Sequence, residues 1–290
     1  MKIATFNING INTKLPGLLQ WLAQADPDVV CLQELKSTDK QFPAAAIQEA
    51  GYRAMWKGQQ FWNGVAILSK TEIVPVRREL PGDPSDTQSR YLEAAVGGVL
   101  VGCLYLPNGN PLRSDKFQYK LRWFERLIEH AATLVDNGHR VVLAGDYNVV
   151  ATDEDIYDPK SWKRDALLQP ETRACYARLL AQGWLDALLH KHGRKAFTFW
   201  DYFRNHWERD AGLRIDHLLL NAELAPELVD AGVDRWVRGL PKPSDHAPVW
   251  VELDLGRATK KKPRKPVPKR TTKPKATGRS RARAPLRSRP

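Results

Sequence analysis

Cysteine is scarce in this 290-residue chain: Cys31, Cys103 and Cys175 are three residues at wide spacing, with no Cys-x-x-Cys pair. An odd, scattered set excludes a disulfide framework and a thiolate zinc or redox motif, and it suits a reducing compartment. Long apolar runs are missing as well. The least polar stretch, Val96 to Leu106, is broken by glycines and too short to span a bilayer. The N-terminal Met1-Lys2-Ile3-Ala4-Thr5-Phe6-Asn7 turns polar within a few residues, which is not the pattern of a signal peptide. Neither G-x-G-x-x-G nor G-x-x-x-x-G-K-[ST] occurs, which argues against a nucleotide-cofactor fold, and no repeat of solenoid period is present. These absences leave a soluble, cytoplasmic protein with no membrane partner as the expectation.

Acid is missing from one region in particular. Residues 257–290 carry 15 Lys or Arg and not one Asp or Glu, which leaves 30 basic against 33 acidic side chains in the rest. The formal charge of +12 therefore describes a basic arm on a mildly acidic body, not a surface that is cationic all over. From Gly256 onward Pro, Lys and Arg dominate and apolar residues nearly vanish, so this segment cannot bury enough surface to fold. The chain divides on this basis into a folded body, residues 1–255, and a disordered basic tail, residues 256–290.

What the body has is short β-type runs alternating with amphipathic helices. Lys2–Ile8, Asp28–Gln33, Gly64–Ser69, Tyr91–Val96, Val99–Leu106, Arg140–Ala144, Arg214–Leu220 and Pro248–Leu253 read as strands. Ser114 is a good N-cap for a long helix in which Phe117, Leu121, Phe124, Ile128 and Ala131 recur at helical spacing before Gly138. Shorter helices are expected near Leu15–Gln24, Ala44–Ala50 and Thr172–Gln182. Two packed sheets flanked by helices fit this order best.

Carboxylates stand at the ends of the apolar runs. Glu34 ends Val29-Val30-Cys31-Leu32-Gln33-Glu34, and Asp146 ends Val141-Val142-Leu143-Ala144-Gly145-Asp146 ahead of Tyr147-Asn148. Asp216 follows Leu213-Arg214-Ile215, Asp245-His246 opens the last strand, and Asn7 and Asn9 close the first. One acid at a strand end is more often a turn former. Several that converge on one rim would gather hard oxygen ligands, amide donors and an imidazole, as metal-assisted phosphodiester hydrolysis requires.

At these residues the chain resembles the exonuclease III group of the endonuclease/exonuclease/phosphatase superfamily. The matching stretches are Phe6-Asn7-Ile8-Asn9-Gly10, Cys31-Leu32-Gln33-Glu34-Leu35-Lys36, Tyr105-Leu106-Pro107-Asn108-Gly109, Gly145-Asp146-Tyr147-Asn148, Gly212-Leu213-Arg214-Ile215-Asp216-His217 and Ser244-Asp245-His246-Ala247-Pro248. The resemblance implies a four-layered α/β sandwich. It also implies a monomeric, nucleoid-associated DNA repair enzyme that uses Mg²⁺, with Mn²⁺ able to substitute. Such an enzyme cuts double-stranded DNA 5′ to abasic sites and also has 3′→5′ exonuclease and 3′-end-cleaning activity on blocked ends.

Carried over, the resemblance makes Glu34 the principal metal ligand with Asn7 beside it, and places Asp146, Asn148, Asp245 and His246 around the metal. Asp146 would orient or deprotonate the attacking water, fixed by Asn148. His246 would contact the scissile phosphate, oriented by Asp216; Tyr105 would bond the phosphate, with Asn108 next to it. Whether Asp146 or the Asp216–His246 pair is the base stays open in the sequence. Phe199-Trp200-Asp201-Tyr202, with Leu213 and Ile215, resembles the family's abasic pocket, so Phe199, Trp200, Leu213 and Ile215 would receive the flipped sugar. Lys116, Lys120 and Arg122 could meet phosphates or simply form a solvated helix face, and His190 and His192 read as surface residues. Two other readings compete: a superfamily phosphodiesterase acting on inositol phosphates, sphingomyelin or RNA tails, and a non-catalytic DNA-binding relative. The basic tail would tether DNA.

Overall fold

The computed structural model describes residues 1–256; the basic segment expected beyond Gly256 lies outside the described residues. Among them, one six-stranded sheet runs in the order β11 (Leu228–Val233), β12 (Val249–Leu253), β1 (Lys2–Asn7), β2 (Val29–Gln33), β4 (Val65–Ser69), β3 (Arg53–Lys57). The second runs β5 (Val74–Arg77), β6 (Tyr91–Val96), β7 (Val99–Tyr105), β8 (Val141–Asp146), β10 (Asp216–Leu220), β9 (Leu185–Asp186). Each sheet holds one parallel pair, β1–β2 and β7–β8, among antiparallel neighbours. No helix among the described residues is long and apolar enough to cross a membrane.

Strand periodicity of two decides which side chains lie between the sheets. Ile3, Val29, Cys31, Val101, Cys103, Val142, Ala144, Leu218 and Val249 belong to the inter-sheet core. Their outward neighbours, such as Ala4, Phe6, Val30 and Leu32, pack with Trp21 and Leu22 of α1 (Ile11–Ala25) and with α2 (Ala44–Glu49). On the far side, Leu143 and Leu219 pack with Trp123, Phe124 and Leu127 of α3 (Asp115–Asp136) and Tyr176 and Leu179 of α4 (Pro170–Leu180). A last helix, α5 (Ala187–His192), sends Ala187 and Leu188 into the inter-sheet core. The result is the four-layered sandwich expected. Ser114 caps α3, its hydroxyl accepting from the Lys116 amide at 3.3 Å. All three cysteines are buried and unpaired.

Four strands escape a reading of sequence pattern: β3, β5, β9 and β11. All four are sheet edges. An edge strand has one neighbour and little cover, so its side chains need not be apolar; every residue of β5 is exposed.

The same alternation carries the polar residues. Continuing the inward series 3, 5 on β1, 101, 103 on β7, 142, 144 on β8 and 220, 218 on β10 reaches Asn7, Tyr105, Asp146 and Asp216. All four are strand-terminal and meet at one end of the sandwich, where hydrogen bonds link Asn7 to Asp146 directly and to Tyr105 through Glu34. Gly145, between them on β8, faces the other way at a point where the parallel neighbour crowds the backbone. A Cβ there would sit 1.9 Å from the Leu104 carbonyl oxygen. Gly145→Ala should therefore force β7 and β8 apart and cost about 3 kcal/mol, the upper range for overpacking. Denaturant unfolding would measure it, and an unchanged midpoint would show that the two strands have room to spare.

Candidate active site

Asn7 holds the centre. Its Nδ2 donates to Glu34 Oε1 and to Asp146 Oδ2, each at 2.9 Å, while its Oδ1 accepts from the Asn9 amide at 3.1 Å. As oriented, the carboxamide presents N–H rather than oxygen to both acids, so it clamps them; acting as a metal ligand would require it to turn over. Glu34 also accepts from the Tyr105 hydroxyl at 2.7 Å and pairs through Oε2 with Lys36 Nζ at 2.9 Å. Lys36 in turn reaches Asn9 Oδ1, and Asn9 Nδ2 donates to Asp245 Oδ1 at 2.8 Å.

Asp146 is held from its own loop. The Asn148 amide donates to Asp146 Oδ1 at 2.8 Å, and the Asn148 carboxamide reaches Oδ2 at 3.2 Å and the Leu106 carbonyl at 2.9 Å. Asn108 Nδ2 donates to Asn148 Oδ1 at 3.1 Å. Opposite them, His246 Nδ1 lies 2.8 Å from Asp216 Oδ2, which also accepts from the Thr198 hydroxyl at 2.6 Å. The Ser244 hydroxyl accepts from the His246 amide and donates to the Asn7 carbonyl, tying this loop to the end of β1. His246 Nε2 stands 3.8 Å from Asp146 Oδ2.

Burial and charge set the protonation states. Burial, reinforced by the Asp216 charge and opposed by His246, pushes the Asp146 carboxyl up to about 7. Burial works against a charged His246, yet the Asp216 carboxylate and its hydrogen bond prevail and hold the imidazole protonated to about 10. Burial of Glu34 is likewise overcome, by Lys36 first and by the bonds from Asn7 and Tyr105, so that its carboxyl stays below the ordinary value. Burial drives the Tyr105 phenol well above its usual range, so it remains a donor.

A cleft of about 200 Å³ opens on these groups, walled by Trp162, Leu167, Phe199 and Ile215. Phe199 packs edge-on to His246, ring centres 4.9 Å apart. Trp200 and Leu213 do not reach it. Trp200 follows Phe199 and so points the opposite way; it is fully buried, bonded to Asp210 at 3.0 Å and set against Trp207. Leu213 is fully buried and packs behind Phe199 and Ile215. Both are core residues. Trp162 and Leu167 have no motif to mark them; Lys36 lies within a matching stretch and Thr198 directly precedes Phe199, yet neither carries a role in the sequence reading. Next to the cleft, and sharing Glu34, Tyr105 and Asn108 with it, runs a trough of about 640 Å³ that is edged by Lys36, Arg90, Lys116 and the exposed Trp62. Lys120 belongs to neither, being wholly buried. His190 and His192 are exposed.

Backbone strain gathers at the same place. Asn9, Glu34, Lys36 and Asn148 all have positive φ, between 46° and 51°, a region that L residues with a side chain seldom occupy. The donor set is carboxylate and amide oxygens with one imidazole, and the donor atoms of Asp146, Asp216 and His246 lie within 4.8 Å of one another. Asp216 Oδ1 is buried with no hydrogen-bond partner among the described residues. Hard oxygen donors and surplus negative charge fit a hard divalent cation.

The Asp216–His246 pair has a pH signature. A histidine whose folded-state value is raised to about 10 contributes stability fully below its unfolded value, roughly 6.5, and loses it as pH climbs toward 10. In metal-free protein, NMR of the His246 ring nitrogens should show no deprotonation through neutral pH, and Asp216→Asn should bring titration down toward the ordinary range. Titration near 6.5 in the unaltered protein would show that the carboxylate does not hold the proton.

Comparison with known proteins agrees with this geometry. The chain is 34% identical over 266 residues to exodeoxyribonuclease III of Haemophilus influenzae, covering 87% of this chain and all of the relative. It is 31% identical to the DNA repair nuclease APEX1 of Danio rerio, over 87% and 82% of the two chains. Among solved structures, the 3′-5′ exonuclease NExo from Neisseria meningitidis matches at 41% identity and a TM-score of 0.84, over 88% of this chain and 100% of that one. NExo from Neisseria, as a 3′ phosphatase bound to a product DNA hairpin, matches at the same identity and TM-score. An AP endonuclease from Archaeoglobus fulgidus matches at 35% and 0.84, again over 88% and 100%. The family model described as endonuclease/exonuclease/phosphatase matches residues 4–246, and the chain belongs to that family.

Proposed function

We infer that this chain is a metal-dependent hydrolytic nuclease of DNA repair, cutting duplex DNA 5′ to abasic sites and trimming 3′ ends as an exonuclease and end-cleaning phosphatase. The observation that carries the reading is one imidazole, His246, fixed by Asp216 at 2.8 Å beside the buried carboxyl of Asp146, at the mouth of a cleft with aromatic and aliphatic walls. A group with a value near the working pH is suited to accept a proton from water. An imidazolium that keeps its proton through neutral pH is suited to stabilise negative charge on phosphoryl oxygens. We therefore assign Asp146 as the base and His246, held by Asp216, as the phosphate ligand; the protonation states favour this over the reverse.

Glu34 and Asp245 would hold Mg²⁺, or Mn²⁺ in its place, with Asp146, Asn148 and His246 alongside; when bound, the ion neutralises charge on the phosphoryl group. Asn7 positions Glu34 and Asp146 relative to each other. Tyr105 and Asn108 face the shared wall of cleft and trough and contact the phosphate. A cleft of 200 Å³ admits a sugar without its base more readily than a whole nucleotide, and Phe199 and Ile215 with Trp162 and Leu167 form that wall. The relatives' activities on DNA support the same substrate class.

A duplex with a single abasic site should be cut in Mg²⁺, lose cleavage in EDTA and regain it when Mg²⁺ is restored; inositol phosphates should not be hydrolysed. Phe199→Ala should narrow the preference for abasic over intact duplex. Trp200→Ala should instead lower stability, by about 3–5 kcal/mol for a buried tryptophan. Efficient hydrolysis of inositol phosphates in place of the abasic duplex would sink the reading.

We also assign the basic tail, residues 257–290, a tethering role, because its 15 cations are the chain's entire basic excess. Each phosphate contact contributes roughly −0.9 to the slope of log affinity against log salt, so about 4–8 contacts contribute about −4 to −7. Truncation after Leu255 should flatten the salt dependence of DNA binding by that amount and leave single-turnover cleavage unchanged. Equal slopes for the two proteins would eliminate the tether.

A further inference from the structure

Lys120 lies on the buried face of α3, between the core residues Phe117 and Phe124, where a helix packed on a sheet ordinarily carries an apolar side chain. It is completely enclosed. A lysine in such a place loses its hydration and must be compensated by hydrogen bonds. Its partners are two main-chain carbonyls, those of Asn108 at 2.9 Å and Asn148 at 2.5 Å. The stem is gripped too: a Cβ on Gly109 would come within 2.6 Å of Lys120 Cδ, and Ala166 adjoins the same spot.

The two carbonyls belong to residues that are 40 apart in sequence and whose side chains meet, Asn108 Nδ2 donating to Asn148 Oδ1. Asn148 then holds both oxygens of Asp146. Its own backbone is left-handed, with φ of 46°, a conformation that needs external support. We propose that Lys120 is a positioning residue: one ammonium fastens the loop after β7 to the loop after β8, and so fixes Asn108, Asn148 and through them Asp146 at the cleft.

This rests on the nuclease reading for its kinetic consequence but not for its structural one. Burial lowers the Lys120 ammonium to about 7. The tie does not depend on that titration, because the neutral amine keeps two N–H donors for two carbonyls. A misplacement of about 1 Å at reacting groups costs on the order of 100-fold in rate, far beyond what a remote loss of packing does to an enzyme that is still folded.

The test compares the full chain with Lys120→Met, which keeps the length and apolar stem, and Leu127→Ala, a buried position on the same helix away from the loops. Lys120→Met should lower kcat on an abasic duplex by on the order of 10–100-fold with KM little changed. The side-chain amide NMR signals of Asn108 and Asn148 should shift or broaden. Leu127→Ala should lower the melting temperature while leaving kcat and both amide signals near those of the unaltered protein. Should Lys120→Met fail to fold, Lys120→Gln, with a shorter side chain that keeps a donor, is measured by the same two readouts. A fall in kcat no larger than that of Leu127→Ala, or amide signals that do not move, overturns the proposal. If the unaltered protein does not cut abasic DNA, the nuclease reading fails, and the amide signals alone decide the tie.

Discussion

One carboxamide joins the two sheets at their open end. Asn7 belongs to the first sheet, as does the strand that leads into Glu34; Asp146 belongs to the second. Its single nitrogen bonds both acids at 2.9 Å and so spans the sandwich. Hydrophobic packing brings the sheets together without regard to direction; the carboxamide fixes how their rims meet, to within hydrogen-bond tolerance. The rest of the cleft is arranged around that junction. Lys36 and Tyr105 complete Glu34, Asn148 completes Asp146, and Ser244 ties the His246 loop to the carbonyl of the same Asn7.

Crowding several carboxyl groups into one buried place opposes folding, because each loses water and repels the others. The chain compensates in two ways. Glu34 is neutralised by a lysine at the rim, and Asp216 by an imidazolium. Asp146 has neither to itself and shares His246 at a longer range, too little to offset its burial, so its affinity for a proton rises. The asymmetry gives chemically alike groups different work, Asp146 accepting protons and Glu34 staying ionised. A further buried ionic cluster lies behind the cleft wall, where Arg214, between Leu213 and Ile215, bonds Asp155 at 2.8 Å and Asp186 at 2.5 Å. It anchors the strand that presents Ile215 and Asp216.

The sequence was most legible where periodicity and burial coincide. The interior strands announced themselves as apolar runs, and the four sheet edges did not, because a strand with one neighbour needs no apolar code. Within the site, the polar residues at strand ends were readable as such. Their mutual bonds were not, since these join segments as far apart as Asn7 and Asp146. Phe199 and Trp200 show the limit of a motif. Adjacent in sequence, they point opposite ways, and only one faces the cleft. Trp162 lies in a turn and Leu167 in the short 3-10 helix Ala166–Leu168, both too short for a periodic signal, so nothing in the order of residues connects them to the acids. Lys120 was misjudged for a different reason: a lysine on a long helix is nearly always solvated, and here the loops after β7 and β8 supply the carbonyls that make the exception.

The left-handed residues carry a consequence for how this protein could be hardened. Replacing Glu34 or Lys36 by glycine would relieve backbone strain of the order of 1–3 kcal/mol per residue, the kind of gain sought when heat resistance is engineered. Each such gain would remove a side chain from the rim that Asn7 organises. The obvious places to add robustness are thus closed to it, and improvement has to come from the outer helices and edge strands, where geometry and chemistry are not the same residues.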